Sequence, residues 1–318
     1  MKTRTLISYK NPLGDPVEIV KQTFTPSSEK PGKRISFVAG LHGNELEGVF
    51  LCHLLIHRLR RLKETRPEIF RGEINIYPAV NPQAIGAGSR LWPFFSVDMN
   101  RLLGEKNGFS LPEELSQALL EDLKASSDWA VDFHASNLHL KELPQIRIIE
   151  GFEKKLIPLA QQCNVDIVWV HPTAPVFEST LAFNLNKNKI PALVVETGIS
   201  LRIDQSFCDQ ILNGMLNLLE HIGILNGLKP KQPIKEPVLL KPSQVVSIQA
   251  GHSGLFTSRI ELGQTVSQGE LLGEVVDPVQ GIVLEYISAP KSGLVFTLRE
   301  HPLAYQGAPL ARIAIDEN

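Results

Sequence analysis

With 318 residues, 43% hydrophobic and 21% charged, the chain can bury a sizeable core and is long enough for two domains. A formal net charge of −2 leaves no basic footprint for nucleic acid or for an anionic membrane. Cys52, Cys163 and Cys208 are odd in number and far apart, which fits buried thiols in a reducing compartment better than a disulfide framework or a thiolate zinc site. The amino-terminal stretch has too short an apolar part for a signal peptide, and no apolar run reaches the length of a bilayer span, so the expectation is a cytoplasmic protein.

Residues 1–30 read as an irregular or edge-strand lead-in that runs into the loop SSEKPGK (27–33). The next stretch, ISFVAGLHGNELEG (35–48), organises the rest of the chain. Its β-branched run predicts a strand over 35–41, a tight turn at Gly43-Asn44, and a helix over about 45–62. His42 and Glu45 can then converge beyond the strand's carboxyl end, where open α/β sheets bind ligands. An imidazole and a carboxylate are two of the three protein ligands that a catalytic zinc takes. The local alternative is that Glu45 caps the helix and His42 is a solvated loop residue. The basic run 57–63 reads as a solvated helix face near a favourable dipole.

EINIYPAV (73–80) is a second strand, and NPQAIGAGSRLWPFFSVDMNRLLG (81–104) a long loop with little regular pattern. Arg90, Trp92, Phe94, Phe95 and Arg101 give it the composition of a loop that folds over something. An amphipathic helix over 112–125 leads to a strand over 129–133 that runs into His134. Next come a strand over 145–149, a helix over 152–163, β character over 167–170, a strand over 192–195 ending at Glu196, and a helix over 205–222. Such alternation predicts a mostly parallel mixed sheet with helices on both faces.

At Leu228 the texture changes. KPKQPIKEPVLLKP (229–242) is rich in Pro and Lys without periodicity, so 229–243 reads as a linker between an α/β domain (1–228) and a β domain (244–318). In the latter, SGLFTSRIELGQTVSQGELLGEV (253–275) repeats weakly as SGLVFTLREHPLAYQGAPLARI (292–313), which suggests a small barrel or sandwich. It resembles the duplicated hammerhead of biotinyl/lipoyl carriers. Their modified lysine sits in the hairpin between the halves; here that hairpin is VVDPVQG, and Lys291 lies in SAPKSG ahead of the second half. The fold is expected without the swinging arm.

VDFHAS (131–136) places His134 directly after an apolar strand, with Asp132 able to hydrogen-bond a ligand histidine. ALVVETG (192–198) places Glu196 where desolvation would raise its pKa towards that of a general base. The alternative for Glu196 is a structural ion pair with an arginine. Together, His42, Glu45, His134 and Glu196 satisfy a zinc site plus a free carboxylate, the set needed to activate water against an amide. Arg90 and Arg101 suit capture of a substrate carboxylate or an oxyanion.

HGNE, then NP, SR and DMNR, then DFH, then VET resemble, in order and spacing over about residues 33–220, the succinylglutamate desuccinylase/aspartoacylase family, a branch of the zinc carboxypeptidase-like fold. The resemblance implies one zinc per chain on His42, Glu45 and His134, with Glu196 as general acid/base. It implies that Arg90 polarises the scissile carbonyl, and that Asn100 and Arg101 clamp the α-carboxylate of a small N-acyl amino acid. A C-terminal β domain would narrow the mouth. Arg147 and Arg202 are candidates for a second substrate carboxylate. The predicted function is a zinc-dependent deacylase; the alternatives are a metallocarboxypeptidase acting on short peptides and a metal-free binding protein of the same fold. The oligomeric state is left open, a homo-oligomer included. GHSG (251–254) lacks the spacing and setting of a serine-hydrolase elbow, and GLHGNE (40–45) lacks the dinucleotide fingerprint.

Overall fold

The near-continuous apolar runs of the central strands call for a sheet covered on both faces. A computed structural model describing residues 1–26, 32–104, 110–228 and 232–316 shows which helices cover it. The first part of the chain supplies strands β1 (Lys2–Lys10), β2 (Pro16–Phe24), β3 (Arg34–Ala39), β4 (Glu73–Tyr77), β5 (Trp129–Ala135), β6 (Leu140–Ile149), β7 (Ile167–His171) and β8 (Ala192–Gly198). Between and after them run α1 (Leu46–Thr65), α2 (Pro82–Ala87), α3 (Leu111–Ser126), α4 (Glu153–Ala160), α5 (Leu181–Lys187) and α6 (Gln205–His221).

The apolar neighbours within each strand point to opposite faces. Phe37, Val131 and Leu193 pack with Leu51, Leu55 and Leu59 of α1 and with α4 and α6. Val38, Ala130 and Ala192 pack instead with Leu119 and Leu123 of α3 and Leu181 and Leu185 of α5. Each fully buried leucine on these stripes contributes about 1.5–3 kcal/mol.

The last part of the chain adds β9 (Val238–Leu240), β10 (Val245–Gln249), β11 (Gly254–Ser258), β12 (Thr265–Val266), β13 (Leu271–Asp277), β14 (Ile282–Ser288), β15 (Gly293–Arg299), β16 (Leu303–Ala304) and β17 (Pro309–Ala314). The large mixed sheet runs β1-β2-β4-β3-β5-β8-β6-β15-β17-β10, with β12 on β15 and β7 between β6 and β9. Four strands, β14-β13-β11-β16, form a second sheet, and Phe256, Leu272 and Val275 from it pack on Ile248, Val295 and Ile313 of the first. The C-terminal strands are thus two layers, one continuous with the α/β sheet through the β6–β15 pairing.

Several expectations change. Pairing is parallel through β4-β3-β5-β8 and through β6-β7-β9, but antiparallel at β1-β2, β2-β4, β6-β8 and beyond β15. The lead-in is an antiparallel hairpin at the sheet's edge, and residues 27–31 of the loop that follows it lie outside the described residues. The long loop contains α2, started by Asn81, whose side chain accepts from the Ala84 amide, and by Pro82; it is stopped by Gly88 at φ +59°. Those are ordinary helix signals, hidden by the element's shortness. The helix predicted over 152–163 is only α4, and Asn164 beyond it turns left-handed at φ +54°. Residues 229–231 of the linker are outside the described residues.

Register decides what shares a face. His134 lies opposite Glu196, Asp132 opposite Val194, Arg147 opposite Val194, and Trp169 opposite Arg147. Residues opposite one another point to the same side of a sheet. A polar row therefore crosses β5, β8, β6 and β7, on the face that α3 and α5 cover elsewhere.

Candidate active site

β3 ends in a turn that only glycine permits. A Cβ on Gly43 would lie 1.9 Å from the carbonyl carbon of Ala84, so α2 can pack on the turn only if residue 43 has no side chain. Asn81 ties the two together, donating through Nδ2 to the Leu41 carbonyl at 3.3 Å. This geometry drives His42 and Glu45 inward: each is 3% exposed. Glu45 occupies the N-cap position of α1, but its side chain makes no capping bond. Both parts of the local alternative, the capping carboxylate and the solvated histidine, are therefore set aside.

The Glu45 carboxylate spans two histidines. Oε1 lies 2.8 Å from His42 Nδ1, and Oε2 lies 2.8 Å from His134 Nδ1 and accepts from the Ala135 amide at 3.2 Å. The outer nitrogens are also held, His42 Nε2 by Asp98 at 3.0 Å and His134 Nε2 by Asp132 at 3.0 Å. Burial disfavours the charged ring of His42, but Glu45 and Asp98 outweigh it and raise its pKa. Burial also opposes charge on His134, yet Asp132 and Glu45 hold it well above the ordinary value. Glu45 is likewise disfavoured as an anion by burial, and the two histidines bring it down to about 2. Asp98 is lowered despite burial, through His42 and then Arg90.

His42, Glu45 and His134 can each offer one ligand atom, all within 4.8 Å of one another. The donor set fits a divalent metal on chemical grounds. Two imidazole nitrogens and a carboxylate oxygen converge, and a carboxylate on each outer nitrogen fixes the tautomer that leaves Nδ1 free to ligate.

The structure gives each of the other residues predicted from sequence a definite place. Arg90 reaches Glu45 through one terminal nitrogen (3.2 Å) and Asp98 through the other (3.1 Å). Asn100 is buried, with Oδ1 accepting from the Leu181 amide at 2.9 Å. Arg101 donates to the Asn100 carbonyl, while Asp98 bonds to His42, Arg90 and the Asn100 amide. Glu196 does make the arginine contact foreseen as its alternative, with Arg147 Nη1 at 3.3 Å from Oε1. Burial still raises its pKa, Arg147 only opposing. Arg90, Asn100, Arg101, Arg147 and Glu196 line one cavity of about 300 Å³ with the His-Glu-His set. Arg202 does not; it is exposed and donates to the Leu201 carbonyl. Trp92 is fully buried with its indole on Gln83, whereas Phe94 is exposed, so the aromatic loop packs through one ring and not through all.

Three charged residues at the site, Asp98, Glu142 and Arg312, are not singled out by the sequence pattern. Asp98 stands in DMNR, where its neighbours mark it only as a partner for Arg101. Glu142 and Arg312 also line the cavity. Glu142 is nearly fully buried and accepts from Arg147 at 2.6 Å and from Arg312 at 2.7 Å. The signal that could have found them is a charged residue inside an apolar strand, in LHLKEL and in LARIAI.

A buried His-Glu-His set at the strand ends of a mixed α/β sheet, with a further carboxylate on the next strand, defines the class: an α/β protein with a candidate metal centre. Residues 31–222 match the succinylglutamate desuccinylase/aspartoacylase catalytic domain, and the chain belongs to that family. It is 25% identical over 313 residues to the N-alpha-acetyl-L-2,4-diaminobutyric acid deacetylase of Halomonas elongata, covering 94% of this chain and 85% of that one. Its fold is that of the product-bound ectoine utilization protein EutE (DoeB) from Ruegeria pomeroyi (TM-score 0.79, 22% identity, 98% and 93% of the two chains covered). A succinylglutamate desuccinylase from Silicibacter sp. TM1040 superposes similarly (TM-score 0.81, 22% identity, 98% and 93% covered). Among the described residues no helix is long and apolar enough to cross a membrane.

Proposed function

We propose that the protein is a zinc-dependent amidohydrolase that removes the acyl group from a small N-acyl amino acid. The observation that carries this reading is the convergence of His42, Glu45 and His134 beside Glu196 and Arg101 in one small cavity. His42, Glu45 and His134 would hold the ion, which when bound supplies Lewis-acid polarisation and acidifies water. Glu196, raised by burial, takes the proton from the attacking water and returns it to the leaving amine. Arg90, fixed by Glu45 and Asp98, faces the scissile carbonyl. Arg101, whose guanidinium is not bonded by Asp98, takes the substrate carboxylate, and Asn100 positions it.

A cavity of about 300 Å³ suits a small molecule, which favours the deacylase over the carboxypeptidase. The 244–318 region would serve as the wall that limits substrate size, contributing Arg312 to the cavity. The Halomonas relative is a deacetylase of an acetylated diamino acid, and a compound of that class is the first to try. The test is elemental analysis of chelator-free protein, together with hydrolysis assays on N-acetyl and N-succinyl amino acids and on short peptides. One equivalent of zinc and turnover confined to the N-acyl amino acids is the expected result. Turnover of peptides alone would reverse the reading.

A further inference from the structure

Four charges alternate across the sheet, starting beside the His-Glu-His set: Glu196 on β8, Arg147 and Glu142 on β6, and Arg312 on β17. Arg147 Nη1 donates to Glu196 Oε1 at 3.3 Å and Nη2 to Glu142 Oε2 at 2.6 Å. The other oxygen of Glu142 accepts from Arg312 at 2.7 Å. Gln145 bonds the same carboxylate at 3.0 Å. Both guanidiniums lie over the Trp169 ring, at 5.8 and 5.5 Å from its centroid. The chain of charges is balanced without a ligand, two cations against two anions.

Its effect on Glu196 is geometric. One carboxylate oxygen is anchored, while the other has no partner among the described residues and is not among the fully buried unpaired atoms, so it faces the cavity. A general base needs this asymmetry, with a fixed rotamer and one free oxygen aimed at the reacting water. If Arg147 lost its hold on Glu142, its planar fork could close on both oxygens of Glu196 and occupy the free one. Glu142 prevents that by the shorter contact. Arg312 in turn compensates Glu142, which would otherwise be a buried carboxylate with a single cationic partner.

We propose that Arg147 is a positioning residue for Glu196, and that Glu142 with Arg312 sets where Arg147 sits. This rests on the reading of Glu196 as the base. The C-terminal strand β17 then acts on the base through two intermediaries, Glu142 and Arg147.

The test compares Arg147→Met, the paired change Glu142→Gln/Arg312→Met, and the triple variant. None leaves Glu142 buried as an unpaired anion, since Arg147→Met keeps Arg312 on it and the other two neutralise it. With an N-acyl amino acid that wild type hydrolyses, Arg147→Met should lower kcat on the order of 10²-fold, as expected of a mispositioned base, with KM within about twofold and metal content unchanged. The paired change should also lower kcat, and the triple variant should be no slower than Arg147→Met, because the pair acts only through Arg147. Multiplied losses in the triple variant would overturn the relay. A large rise in KM with kcat preserved would also overturn it, by making Arg147 a contact for a substrate anion. A readout independent of turnover is the thermal midpoint of Arg147→Met, Glu196→Gln and their double variant. Coupled residues give non-additive shifts, and additive shifts would sink the Arg147–Glu196 link. If wild type hydrolyses none of the compounds, the proposed function fails, and this cycle still decides the contact.

Discussion

The two ends of the cavity hold charge in opposite ways. At the His42–Glu45–His134 corner, both nitrogens of each ring meet a carboxylate, and those carboxylates raise the pKa of both buried rings. At the Glu196 end, two carboxylates share two guanidiniums and need nothing more. On the proposed reading, the first end would exchange charge with a divalent ion. The second is built for permanence. Substitutions should therefore separate them: changes at the first end should remove metal and activity together, and changes at the second should remove activity alone.

The largest effect is expected at the first end. His134→Ala removes one of the three proposed ligands, and both metal content and hydrolysis should fall to near background. Near-full zinc occupancy in that variant would break the comparison at its root. Next comes Glu196→Gln, which should lower kcat by roughly 10²–10⁴-fold with zinc retained. Burial raises this carboxyl and Arg147 only partly opposes it. A base must be ionised to act, so kcat/KM in wild type should fall as pH drops through a pKa above the ordinary carboxylate range. The variant should lack that limb. Loss of zinc in Glu196→Gln would instead place Glu196 among the ligands.

The same contrast explains what is legible without coordinates. His42 and Glu45 are three residues apart on one turn, and His134 and Asp132 flank a single apolar residue, so short-range spacing carries them. Arg147 is visible in the sequence only as an unassigned candidate. Its role depends on Glu142, and the β6–β8 register shifts between Glu142 and Gln145, around Pro144. That irregularity lets residues five apart, Glu142 and Arg147, meet on one face. Arg312 lies inside what reads as a separate β repeat, and no periodicity announces that β15 pairs with β6 and brings β17 beside the cavity. Helix α2 is hidden for a simpler reason: six residues give too little pattern.

A smaller effect tests how far the first end extends. Asp132 accepts from the outer nitrogen of His134, and its Oδ1 is buried without a partner among the described residues. Asp132→Asn keeps the shape and removes the charge that orients the ring. Metal affinity or activity should fall about 10–100-fold, measured by competition with a chelator. An unchanged zinc affinity would show that His134 is held by packing and not by its carboxylate.

The smallest and most selective effect concerns Arg101, which makes no hydrogen bond to either charge cluster among the described residues. The acid that could have satisfied it, Asp98, bonds to His42, Arg90 and the Asn100 amide. Glu105, the other acid nearby in sequence, lies outside the described residues. Arg101 itself donates to the neighbouring Asn100 carbonyl and lines the cavity, and its remaining N–H groups, which have no partner among the described residues, would take a substrate carboxylate. Arg101→Lys replaces a planar fork by a point charge, and should raise KM at least as much as it lowers kcat. Arg202→Ala supplies the control, because that exposed side chain does not line the cavity and its loss should leave both constants unchanged. The substrate can be altered instead. Methyl-esterifying its carboxylate should hurt wild type far more than Arg101→Lys, since only the native guanidinium has a bidentate pair to lose. Equal turnover of acid and ester by wild type would remove Arg101 from recognition and point to a neutral amide as the substrate.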